Sequence, residues 1–204
     1  MNWKEFLKIK RNKIELAITL ILLAVVLASL TNFLNFVEAR QGVSLPDPVL
    51  NLFTPIDLTW LIFALIYISL ITAVISLAKN PCRLLFAIQL YTMMVIVRII
   101  AMYILPLEPP QNMIALNDPF VEFFGSGKTL TKDLFFSGHT ATLFILFLVS
   151  ENKLIKTIFL ISTVAVAVSV LLQHVHYSID VFAAVFFVYA LYSLLKKFKY
   201  QVFH

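Results

Sequence analysis

From Leu58 to Ala78 the chain reads LTWLIFALIYISLITAVISLA, 21 residues without a single charge. At 1.5 Å rise per residue a helix of this length spans about 30 Å, the thickness of a bilayer's hydrocarbon core. Working outward, five further apolar runs follow the same rule. Ile14–Leu34 carries Glu15 near its start, and Leu84–Leu105 carries Arg98. Leu134–Ser150 contains His139, Thr157–Leu172 follows it, and His176–Leu195 holds Asp180 near its start. The pattern predicts an all-α membrane protein with six transmembrane helices. Composition agrees: 61% of residues are apolar and 13% charged, against about 45–50% and about 25% in soluble domains. Mean hydropathy is +0.93. These values exclude a soluble globular domain, a disordered tail and a nucleic-acid-binding module.

The net charge is +5, and its placement matters more than its size. Twelve of the 16 basic residues fall in residues 1–13, at Lys79 and Arg83, at Lys153 and Lys156, and in the tail from Lys196. Only Arg40, Lys128 and Lys132 lie in the alternate loops, and Arg98 lies inside a run. Basic loops stay cytoplasmic, so both termini are expected inside. The organisation expected is a basic interfacial segment over 1–13, a membrane domain over 14–195 and a basic tail over 196–204. Residues 2–13 are read as a short helix on the inner leaflet, lysines toward anionic headgroups. The run from Ile14 is too long for a signal-peptide core, with no clean cleavage site after it, so it is expected to be retained. Cys82 is the single cysteine, which excludes an internal disulfide and a cysteine metal cage. Trp3 and Trp60 sit where interfacial anchors sit.

The two longest connections, about 35–57 and 106–133, fall on the expected outer side and are rich in Pro, Asn, Asp and Gly. Long loops in compact domains are usually functional or disordered. Three of the four histidines, His139, His174 and His176, lie at membrane edges beside them; His204 is read as an exposed tail residue. His139 falls where a loop becomes the fourth run, in Phe136-Ser137-Gly138-His139-Thr140. His176 opens the last run in His176-Tyr177-Ser178-Ile179-Asp180. On a helix, residues four apart share a face, so Asp180 can accept from one imidazole nitrogen and leave the other to attack. A lone interfacial histidine is most often structural. A His–Asp pair with a second histidine on one membrane side is more telling, because intramembrane ionisable residues are expensive and usually mark a site.

These motifs resemble the type 2 phosphatidic acid phosphatase superfamily, and within it the sphingomyelin synthase-like branch. Asp133 to Thr140 matches Asp-x-x-x-Ser-Gly-His-Thr, and His174 to Val181 matches His-x-His-Tyr-Ser-Ile-Asp-Val. Leu45-Pro46-Asp47 and Arg98 ahead of Leu105-Pro106 and Pro109 fit the branch's earlier motifs. The lipid-phosphatase pattern, with Lys…Arg-Pro before Ser-Gly-His, is absent.

The resemblance implies a phosphotransferase acting on lipids. His176 would attack phosphorus and form a phosphohistidine, with Asp180 stabilising the imidazole. His139 would protonate the leaving alcohol, then accept a proton from the incoming alcohol or water. Asp133, with Glu122 or Asp118, would be the supporting acidic residues. Backbone N–H groups around Ser137 and Gly138 would hold the phosphate, with no metal and no cofactor. Arg98 has two readings, a phosphate clamp or a structural partner for Asp133 or Asp180. The expected partners are a phospholipid donor, a lipid alcohol or water as acceptor, and the bilayer, with no nucleic acid. A lipid phosphomonoesterase is the alternative within the superfamily. A proton- or ion-coupled transporter is the alternative of another class, opposed by the clustering of polar residues at one membrane edge. Haem ligation by paired histidines is opposed by their position near the surface.

Overall fold

The computed structural model describes residues 1–117 and 130–199. They form an all-α membrane protein of seven helices: α1 (Trp3–Lys8), α2 (Lys10–Ala39), α3 (Thr59–Leu77), α4 (Pro81–Ile104), α5 (Gly138–Val149), α6 (Lys153–Leu172) and α7 (Ser178–Phe198). Five of them are long and apolar enough to cross a membrane; α5 is apolar but shorter. Local sequence sets the starts. Asn80 accepts from the Arg83 N–H, with Pro81 at the first helical position of α4, where its missing N–H is harmless. Asn152 accepts from the Leu154 and Ile155 N–H groups to begin α6.

Several boundaries differ from the sequence expectation. Residues 2–13 do not form one interfacial helix: the chain breaks at extended Ile9, and Lys10–Lys13 belong to α2. Lysines in a first membrane-helix turn reach back to the headgroups, so charge does not end the helix. At its other end α2 continues past Leu34 to Ala39, and α7 continues past Leu195 to Phe198. The fourth run holds a helix of 12 residues, about 18 Å long. Leu134–Ser137 stay outside it because Ser137 caps α5 and its own N–H donates to the Asp180 carbonyl, at 3.2 Å.

The bundle packs around α5, which contacts α3, α4, α6 and α7. In lipid there is no hydrophobic drive between helices, so close approach depends on small side chains. Ala141, Ser162, Thr163, Ser169, Ala183 and Ala184 are all buried. At the lysine-rich end, Arg83 pairs with Glu151. Glu15, the lone charge of the first run, pairs with Lys199 and accepts from Gln89, joining α2, α4 and the end of α7. At the histidine end the first loop bridges to the second through Val43 and Leu107. Gln173 ties both loops down: its Oε1 accepts from the Leu58 N–H, and its Nε2 donates to Thr59 and to the Ile114 carbonyl.

Candidate active site

His176 and Asp180 meet, though not as a helical i, i+4 pair. His176 precedes α7, and Asp180 in the first turn of α7 reaches back to it. The carboxylate Oδ2 accepts from the Tyr177 N–H at 3.0 Å and stands 3.3 Å from His176 Nδ1. Both side chains are almost fully buried. An ionised carboxylate only accepts, so in the neutral ring Nδ1 carries the hydrogen and Nε2 the lone pair. His139, in the first turn of α5, lies across from this pair, the two imidazole centroids 6.2 Å apart. The Ser137 N–H to Asp180 carbonyl bond stitches the starts of α5 and α7 together at this point. Phe136, fully buried, stacks on Phe187 of α7, with ring centroids 5.1 Å apart.

Arg98 pairs with Asp133, one of its two expected structural partners, and also lines the groove described below. Its Nε donates to the Phe136 carbonyl at 2.7 Å, and its NH2 donates to Asp133 at 2.5 Å. Gly138 is explained by the same guanidinium. A Cβ there would lie 2.9 Å from Arg98 Cζ, so the glycine is the space in which the arginine sits. Ser137 is fully buried, its Oγ bonded to Thr140 as the α5 cap. Asp133 stands with Arg98. Glu122 and Asp118 lie outside the described residues. His174 is directed elsewhere: its Nδ1 is 3.0 Å from the Gln111 carbonyl, its ring packs edge-on to Phe53, and it lines a separate cavity of about 420 Å³ with Asp47.

Beside His139 an apolar groove of about 430 Å³ runs between α2, α3, α4 and α5. His139, Gly138, Arg98 and Asp133 line its polar end, and Leu77 and Leu84 its far end.

Sequence reasoning attached no role to Asp47 beyond its Leu-Pro-Asp motif. Its carboxylate accepts from the Ser178 N–H at 2.6 Å and from the Ser178 hydroxyl at 3.1 Å, holding the first residue of α7 between His176 and Asp180. Burial raises its pKa, but the N–H groups of Ser178, Val49 and Leu50 and the Ser178 hydroxyl outweigh this and hold it below the ordinary carboxylate value. A contact across 131 residues leaves no local signal. Glu38 was missed for the same reason; it accepts from the Thr131 and Lys132 N–H groups and positions the strand of chain leading to Asp133.

Residues 132–198, about a third of the chain, match the family described as PAP2 superfamily C-terminal. The match runs from just before Asp133 through α5, α6 and α7 and so contains both histidines and Asp180. It supports a relationship to the type 2 phosphatidic acid phosphatase superfamily and an activity of the lipid phosphatase or phosphotransferase type. No curated protein matches the chain.

Proposed function

We propose that this protein is a sphingomyelin synthase-like lipid phosphotransferase with its site on the extracytoplasmic side. It moves a phospho-alcohol headgroup from a phospholipid to a lipid alcohol or to water. The observation that carries the reading is the pair of imidazoles, 6.2 Å apart, one of them (His139) lining the polar end of an apolar groove and the other held by a buried carboxylate. His176 Nε2 attacks phosphorus, and the bond from phosphorus to the lipid alcohol oxygen breaks. His139 gives its proton to that oxygen, and the headgroup phosphate remains on His176 as a phosphoramidate. In the second half the acceptor hydroxyl gives its proton to His139 and attacks phosphorus, releasing His176. Asp180 offsets the positive charge on the imidazole in both halves.

The test is purified protein in nanodiscs with phosphatidylcholine carrying a labelled headgroup and a fluorescent ceramide or diacylglycerol as acceptor. Label appearing in a new lipid, or as free phosphocholine, is expected. Turnover of phosphatidic acid alone, with release of inorganic phosphate, would replace this reading with the phosphomonoesterase. No turnover of either class by folded protein would overturn both and favour transport.

A further inference from the structure

The apolar groove has a definite length. On α3 its lining runs from Phe63 to Leu77, and on α4 from Arg98 to Leu84. Each interval is 14 residues, or about 21 Å along the helix. An extended hydrocarbon chain with bonds of about 1.5 Å advances about 1.25 Å per carbon, so this length takes about 16 or 17 carbons. The polar end is the candidate catalytic centre itself.

Two small residues stand at one depth. Ala73 is ten residues beyond Phe63, and Ala87 is eleven from Arg98, so both lie roughly 15–17 Å from the polar end. Both line the groove, and both are nearly fully buried. Their shortness leaves the passage open to Leu77 and Leu84. A branched side chain at either position would close it about 4.5 to 6 Å early.

We infer that the groove is a ruler for a hydrocarbon chain of the phosphate-bearing lipid, its length set by Ala73 and Ala87. The inference rests on the lipid phosphotransferase reading for the chemistry at its polar end, but not for the occupancy of the groove.

Two experiments test it in full-length protein in nanodiscs. The first measures kcat/KM on phosphatidylcholines and phosphatidic acids with matched chains of increasing length. Wild type should improve up to about 16 carbons. Ala73→Leu and Ala87→Leu should move the break to about 12 carbons and lower the long-to-short preference by about tenfold. The second needs no variant: wild-type protein is irradiated with phosphatidylcholine bearing a diazirine at the chain end or near the carbonyl. The end probe should label the region around Leu77 and Leu84, and the carbonyl-side probe the region around Phe63 and Tyr67. The same end-labelling without turnover of any lipid would keep the ruler and sink the enzyme reading. Turnover indifferent to chain length, with both probes labelling the same residues, would overturn the ruler and leave the enzyme reading standing.

Discussion

His176 and Asp180 sit close because a helix cap brings them together, and this makes the pair unusually fixed. Asp180 is held by the Tyr177 N–H on one side, while its own carbonyl accepts from Ser137. Asp180→Asn should therefore keep the fold and still lower turnover by about a hundredfold or more, since an amide does not offset the imidazolium charge. His176→Ala should abolish turnover, by about four orders of magnitude or more. His139→Ala should lose about 10²–10⁴ with natural lipids, the usual contribution of a general acid. With a nitrophenyl phosphodiester, whose leaving group needs no proton, much of that loss should return for His139→Ala and none for His176→Ala. Rescue of His176→Ala would reverse the two roles. Gly138→Ala presses on the Arg98 guanidinium and should lower stability by about 1–3 kcal/mol, as overpacking does, read as a fall in Tm. At this scale the sequence was legible wherever partners lay within a few residues. The four-residue spacing put His176 and Asp180 forward as a pair and the Ser-Gly-His motif put His139 forward as a candidate, while the pairing of Arg98 with Asp133 comes only through tertiary packing.

Among the elements, α7 carries the most consequence, because its first turn is held by a residue from the opposite half of the chain. Asp47 is the far anchor, and its hydrogen bonds to Ser178 belong to the ionised form. Its pKa lies below the ordinary value, so its contribution is fully present above the unfolded-state pKa and is lost as pH falls through the folded-state pKa. Asp47→Ala should cost about 1–2 kcal/mol at pH 7. The Tm difference between wild type and variant should hold down to about pH 5 and close below about pH 4. A difference that stays constant to pH 3 would rule out the carboxylate as the source. The elements themselves were legible to different degrees. A long charge-free run announced α3 directly, and a long apolar run with the single charge Arg98 announced α4. The extent of α5 did not follow from hydropathy, because Leu134–Phe136 are as apolar as a helix interior but form irregular chain ahead of the helix, with Leu134 and Phe136 buried.

For the molecule as a whole, the alternation of basic and non-basic loops predicts that the first loop faces outward. Leu52 in that loop is 80% exposed. In a Cys82→Ser background, Leu52→Cys should react with a membrane-impermeant maleimide in intact cells. Reaction only after lysis would invert the orientation and move the proposed site to the cytoplasm. The all-helical class was readable from composition alone, since a chain this apolar satisfies its backbone in lipid mainly by forming helices. The way the helices meet was not, because contacts such as Gln173 to Leu58 join residues over a hundred positions apart. The shortness of α5 has one more consequence. Its start lies level with Arg98, roughly 9 Å before the end of α4. A short helix exposed to lipid would force the bilayer to thin around it, but α5 is enclosed by four other helices, so the mismatch is absorbed inside the protein. The outcome is vertical registry: a polar floor set below the end of α4, which under the proposed function would let a phospholipid's scissile bond meet the imidazoles without the lipid being lifted out of its leaflet.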